Sequence, residues 1–398
     1  MLAIIIALLS GAWPYVKLLL ILYCWLAPVV VLPPAMRLLV LRVLDAAGKW
    51  SLLDFLMLMM MAVAFHFTLE LHSTPPATGT AGGAPPSVLR AQVYVMPGFG
   101  MVSFLIAACM SLALSHVLLA MHLARDGPAS PSRPTTPAPD ADAANGIDRA
   151  ARPASRKTPV PLCNYRFAQL MYVRGLRLPL VVQAAVPIIL VACAVTTLAA
   201  ASVNAFTLHF EGLVGGLLEA SGGETKSFSL LSLSTALLDF GRETEGTTMS
   251  VLPYAFIVLT LGVPLVWLAQ LLTLWVLPLS RLWQMRLLSV AEVLQAWSAL
   301  DVFLLTVVAS LMELDKFAHF IVDDLCAGVN GVLEDYFSDG DLVPGEASCF
   351  GVKATMEGGT WMLLAVSIVS MAVGHFVMHV GNRARDEWAE QHQRPALR

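Results

Sequence analysis

Seven long apolar stretches dominate this chain: roughly residues 2–32, 50–71, 98–123, 179–206, 249–279, 298–320 and 358–380. Each supplies the ~20 mostly apolar residues that one bilayer-crossing helix needs. Inside hydrocarbon every backbone N–H and C=O has to be satisfied within the protein, so only helices and closed barrels can cross. These runs are apolar throughout and do not alternate, so they read as helices. The expected fold is an all-α polytopic membrane protein. Composition agrees: 13% of residues are charged, about half the usual ~25% of a soluble domain. A net charge of −4 gives no electrostatic case for a nucleic-acid partner. The first stretch lacks the basic leader of a signal peptide, and its apolar run exceeds the ~7–15 residues of such a peptide's core. It reads as a true span.

The segments between spans separate by charge. Residues 33–49, 124–178, 280–297 and 381–398 together carry 18 Lys and Arg, whereas 70–97, 207–248 and 321–357 carry 4. The two sets alternate, as successive crossings require. The positive-inside rule then places the first set in the cytoplasm, the N-terminus outside and the C-terminus inside. The outer segments 207–248 and 321–357 contain 6 and 8 acidic residues. Residues 126–161 are rich in Pro, Ala, Ser and charge, a composition that cannot bury enough apolar surface to fold. They read as a cytoplasmic linker between a first module, 1–125, and a second, 162–384, which is followed by a tail over 385–398.

The two modules echo one another. Pro14, Trp25 and Pro28 recur as Pro264, Trp275 and Pro278 at a constant offset of 250. The next span opens with Trp50-Ser-Leu-Leu-Asp54 in one half and Trp297-Ser-Ala-Leu-Asp301 in the other. The last spans share Ser111-Leu-Ala-Leu-Ser-His116 and Ser370-Met-Ala-Val-Gly-His375. Matched spans in the same order and orientation describe a parallel duplication about an axis along the membrane normal. Span 179–206 and loop 207–248 have no counterpart in the first half, so the expected arrangement is two tetraspan-like modules, the first lacking its first helix.

Several of these motifs resemble the paraquat-inducible protein A family: Ser10-Gly-Ala-Trp-Pro-Tyr-Val-Lys, Gly48-Lys-Trp-Ser-Leu-Leu-Asp54, Pro97-Gly-Phe-Gly and Leu114-Ser-His116. The resemblance covers nearly all the spans and leaves out the linker. It implies a membrane protein that works with a mammalian-cell-entry (MCE) domain partner and loads or extracts lipid. Bacterial relatives carry cysteine-pair zinc ribbons, but here Cys163 stands alone before the second module. No metal and no cofactor are carried over.

Charged side chains inside the hydrocarbon cost at least ~2.5–3.5 kcal/mol each at a helix centre, which makes them functional candidates. Lys17 lies well inside the first span and Asp54 near the cytoplasmic end of the second. A lysine stem can reach toward that depth, so a Lys17–Asp54 pair is expected, with His116 at matching depth on the following span. Asp301 and His375 repeat the arrangement in the second module, where Trp267 replaces the lysine. An imidazole beside a carboxylate in a dry bundle is suited to proton relay. The same residues can equally serve as structural ties, with Asp54 and Asp301 capping their helices.

His66 and Glu70, read as helix neighbours, suggest at most part of a metal site. Met57, Met59, Met60 and Met61 offer an adaptable surface for lipid tails or for the core. Cys326 and Cys349 share one acidic outer loop and can form a disulfide there if that side is oxidising. No P-loop, G-x-S-x-G or H-E-x-x-H is present, and the chain reads as a non-enzyme. The expected function is intermembrane lipid transport. A tetraspanin-like scaffold and a proton-coupled small-solute transporter are the alternatives.

Overall fold

The computed structural model describes residues 12–28, 30–65, 67–72, 88–93, 98–126, 180–212, 225–243, 251–314, 316 and 351–393. The linker, the Cys326/Cys349 pair and His66 lie outside them. In chain order the helices are α1 (Trp13–Leu26), α2 (Pro34–Ala46), α3 (Leu53–Ala64), α4 (Phe99–Asp126), α5 (Leu180–Ser202), α6 (Leu230–Glu243), α7 (Val251–Ile257), α8 (Val263–Val276), α9 (Arg281–Trp297), α10 (residues 300–314) and α11 (Gly358–Gln393). Six helical runs among the described residues are long and apolar enough to cross a membrane: Pro34–Ala64, Phe99–His122, Val181–Ser202, Val251–Val276, Leu282–Leu314 and Gly358–Arg385. The all-α polytopic expectation holds. Trp13–Leu26 is a further, shorter apolar helix.

Burial shows how these helices are used. On α1, Lys17, Ile21 and Cys24 face inward while Tyr15, Leu18, Leu19, Leu22, Trp25 and Leu26 are exposed. Successive inward positions are separated by four and three residues, which is one helix stripe. A polar group points in and hydrocarbon points out, the reverse of a soluble helix and the arrangement expected where lipid is the solvent. Leu52–Phe65, Met101–Leu112, Ala200–Phe210, Leu230–Leu237 and 299–314 contribute to one continuous core. The two halves of the chain therefore pack together. Met59, Met60 and Met61 belong to this core, with Met57 packed against it, so the methionine run fills space and does not line a lipid surface.

Two corrections concern the stretches read as cytoplasmic loops. Residues 33–49 and 280–297 are helical: α2 continues through a tight 3-10 turn, Gly48–Leu52, into α3. Likewise α9 continues into α10 after a break at Ser298–Ala299, where Ser298 takes an extended conformation with ψ 108°. Their charges masked the periodicity. Leu41, Leu44 and Gly48 form a buried stripe, and Arg37 Nη2 donates to the carbonyl of Ala27 at 2.5 Å.

Between α7 and α8 the chain winds as a wider π turn, Val258–Gly262, just before Pro264. Proline has no N–H to give and collides with the carbonyl four residues earlier; a π turn is one way to absorb that mismatch.

Small sheets, which the sequence reading does not anticipate, cap one end of the helices. β1 (Phe67–His72) pairs antiparallel with β2 (Val88–Val93), Glu70 opposite Arg90. Glu70 thus sits on a strand, which removes its expected helix neighbourhood with His66. In the second sheet β3 (Asn204–Glu211) lies between β4 (Thr225–Ser229) and β5 (Gly351–Met356), both antiparallel to it. Thr360 Oγ1 donates to Ala205 O at 2.7 Å, tying α11 to β3. We refer to this as the strand end.

Candidate functional site

Polar side chains gather at two places inside the helical body. The first is the junction of α1, the α2/3-10 segment and α4. Lys17 is fully buried there, and its Nζ makes no hydrogen bond among the described residues. Gly48 lies against it: a Cβ at position 48 would stand 2.9 Å from Nζ and 2.7 Å from Leu112 Cδ2. Only a glycine lets the amine and the 3-10 turn approach this closely.

One turn earlier on α2, Asp45 meets His116 of α4, with Oδ1 2.6 Å from Nδ1. The approach is a close carboxylate–imidazole contact without aligned hydrogen-bond geometry at Oδ1. Asp45 is also the charge that acts on Lys17 through space. Ser51 Oγ, Ser111 Oγ and His116 Nε2 are likewise buried without hydrogen-bond partners among the described residues. Such atoms are rare in folded proteins and mark places with more polar capacity than the packing consumes. Trp13 Nε1 closes the junction by donating to Ala47 O at 3.0 Å.

The carboxylate beside Lys17 and His116 is thus Asp45, and the expected pairing with Asp54 is corrected. Asp54 sits half-buried in the first turn of α3. Asp45 lies in the basic segment 33–49, beside Arg37 and Arg42, where composition alone does not separate a helix from a loop. The helical spacing of Leu41, Leu44 and Gly48 was the signal that placed it on an inward face.

The second place lies between the halves. Lys49, on the 3-10 turn of the first half, forms an ion pair with Asp301 at the start of α10, Nζ to Oδ2 2.5 Å. The side chains are 12% and 24% exposed. The two helical runs therefore break where they face one another, and their charges meet across the gap. Asp301 does not pair with His375. That histidine is on an exposed face of α11, its Nε2 3.3 Å from Gln295 Nε2.

The ion pair opens onto a small, partly open cavity. α5 contributes Thr197, α8 contributes Pro264, Trp267 and Leu268, and α11 contributes Ser367, Ser370 and Met371. Gln295, Ser298 and Leu300 complete the wall at the α9–α10 break. Trp267 is 4% exposed, packs directly on Gly374, and its indole N–H has no hydrogen-bond partner among the described residues.

Depth follows from one hydrogen bond. Ala299 N donates to Leu259 O at 3.1 Å, so the break is level with Leu259. The run Val251–Val276 is 26 residues, about 39 Å at ~1.5 Å per residue, and Leu259 is about 12 Å from its strand end on the same rise. The break and its charges therefore fall within a hydrocarbon thickness of about 30 Å.

Elsewhere, Lys316 Nζ pairs with Glu313 Oε2 at 3.0 Å on an exposed surface. No group of three or more His, Cys, Asp or Glu side chains suited to a metal occurs among the described residues. Cys24, Cys109 and Cys193 are free thiols.

Residues 228–326 match the model of the family described as paraquat-inducible protein A, the family that the sequence motifs resemble. The matched stretch runs from α6 through α10 and contains Trp267, Gln295 and Asp301. No curated protein and no solved structure matches the chain.

Proposed function

We propose that this protein is the integral membrane component of a lipid-transport system, moving lipid between the bilayer and an MCE-type partner at the strand end. The observation that carries the reading is the cavity at the meeting point of two broken helical runs. Transporters place substrate sites near the midplane, at the interface of internal repeats and along discontinuous helices. Irregular backbone at that depth is tolerated where it is buried in protein or lines a cavity.

The repeat is part of the proposal. α1 and α8 are both 14 residues long and lie 250 positions apart, and each carries proline at its first turn. Both broken runs break beside a Trp-Ser pair, Trp50-Ser51 and Trp297-Ser298. The arginine-rich ends opposite the strands are assigned to the cytoplasm by the positive-inside rule.

Lys17, Asp45 and His116 supply a cation, a carboxylate and an imidazole at one buried junction, and in this reading they couple lipid movement to protons. The polar lining of the cavity also suits the second reading, uptake of a small polar solute.

Affinity purification from native membranes in mild detergent, followed by lipid-transfer measurements on the recovered complex, tests the proposal. An MCE-domain protein in the complex, and transfer that falls in Asp301→Asn and His116→Ala, is the expected result. Recovery without such a partner, with transfer unchanged in both variants, would overturn it. Uptake of a polar solute, with no lipid transfer, would favour the second reading.

A further inference from the structure

The charge balance of the cavity restricts what can sit in it. Among the described residues Lys49 and Asp301 are its only ionisable lining side chains, and they neutralise one another. Thr197 Oγ1 donates to Cys193 O at 2.7 Å and Ser370 Oγ to Ser367 O at 3.0 Å. These two hydroxyl protons are committed to their own helices, so the oxygens are left to accept from the cavity. Donors are not lacking: an ammonium has three N–H groups, of which Asp301 engages one. A net charge placed at this depth would have no counter-charge in the wall, and an uncompensated charge in a low-dielectric site is strongly disfavoured.

We propose that this cavity binds the head of one amphiphile that is uncharged or zwitterionic overall, and discriminates against net-anionic heads, because the Lys49–Asp301 pair leaves its wall neutral. The inference rests on the lipid reading above and adds a selection rule to it. A zwitterionic head brings its own two charges. Its anionic part meets Lys49, and its cationic or hydroxyl part meets Asp301 and the oxygens of Thr197 and Ser370. Among the described residues the first half of the chain enters the site through Lys49, so selectivity is a property of the two halves together.

The test uses the full chain reconstituted in bilayers of equal phosphatidylcholine and phosphatidylglycerol, which differ in net charge but share the glycerol phosphate. The protein is then transferred to mild detergent, and native mass spectrometry counts the lipid that stays bound. The wild type is expected to retain phosphatidylcholine over phosphatidylglycerol by roughly tenfold, the factor that accompanies a modest difference in binding free energy. Asp301→Asn, which leaves the wall with one positive charge, should reverse the preference. The double variant Lys49→Met/Asp301→Asn, neutral again, should restore it and guards against misreading a folding defect. Thr197→Val and Ser370→Ala, which keep the charge balance, should leave the preference for phosphatidylcholine in place.

Equal retention of the two lipids by the wild type, or a preference unmoved by Asp301→Asn, overturns the selection rule and leaves lipid handling standing. Absence of any retained lipid, together with absence of lipid transfer in the purified complex, overturns the function on which the rule rests.

Discussion

Replacing Asp45 with asparagine isolates the electrostatics of the first junction. The substitution keeps the volume and removes the charge that acts on the buried Lys17 amine and contacts His116. Lys17 makes no hydrogen bond among the described residues, so its relief is through space. Two unit charges about 4 Å apart attract by about 4 kcal/mol at an effective dielectric near 20, and by less at greater separation. Breaking one side of a buried pair costs ~3–5 kcal/mol, because the remaining charge is left without compensation. We therefore expect Asp45→Asn to lower the unfolding free energy by about 3 kcal/mol, the lower end of that range.

Lys17→Met should behave differently, since it removes the costly group itself. The lost attraction and the relieved penalty of ~2.5–3.5 kcal/mol nearly cancel, so its effect should be small. In Lys17→Met/Asp45→Asn no lysine charge remains to be stranded, and the cycle should show a coupling of about 3 kcal/mol, at the top of the range for residues of one network. The measurement is unfolding in mixed micelles titrated with SDS, followed by circular dichroism. An Asp45→Asn cost below about 1 kcal/mol, the size of an ordinary surface-to-average substitution, would refute the reasoning. So would a double variant no more stable than Asp45→Asn alone.

Further expectations follow from neighbouring features. Gly48→Ala should cost about 1–3 kcal/mol through overpacking, since its Cβ would stand 2.7 Å from Leu112 Cδ2 and 2.9 Å from Lys17 Nζ; in the Lys17→Ala background the same unfolding titration should show a smaller cost. Gly359→Ala should destabilise more, because its Cβ would lie 2.5 Å from Asn204 O, and backbone yields less readily than a side-chain tip. A double-mutant cycle on Lys49→Met and Asp301→Asn should give a coupling of about 1–3 kcal/mol, below the ~3–5 kcal/mol of a fully buried pair, because both side chains keep some exposure. Lys226, on β4, has its ammonium pKa lowered by burial. The unfolded chain then holds this proton more tightly, so its stability penalty is present at neutral pH and relieved as pH rises toward about 10.4. Unfolding titrations from pH 8 to 10.5 should show that rise in wild type and a shallower one in Lys226→Met.

The crossing segments were legible in the sequence because hydropathy is local: 20 or so apolar residues commit to a helix in lipid whatever their neighbours do. The apolar helix that carries Lys17, Trp13–Leu26, was legible for the same reason. Residues 33–49 and 280–297 were not, because a charged amphipathic helix and a charged loop share a composition, and only burial of Leu41, Leu44 and Gly48 separates them. The sheets at the strand end escaped notice because each strand is short and gains its partner from a distant segment, as β3 does from β5.

Which charges meet was decided by tertiary structure alone. Spacing suggested Asp54 for Lys17 and His375 for Asp301, both within their own halves. Packing instead brings Asp45 to His116 and carries Lys49 across the boundary to Asp301. A side chain's partner depends on how helices rotate and cross, and in lipid that is settled by close packing of whole helix faces, a quantity no single span encodes. The sequence determined that this chain is a multi-pass membrane protein and roughly where its apolar helices lie. The fold determined that Lys49 of one half pairs with Asp301 of the other beside one polar-lined cavity.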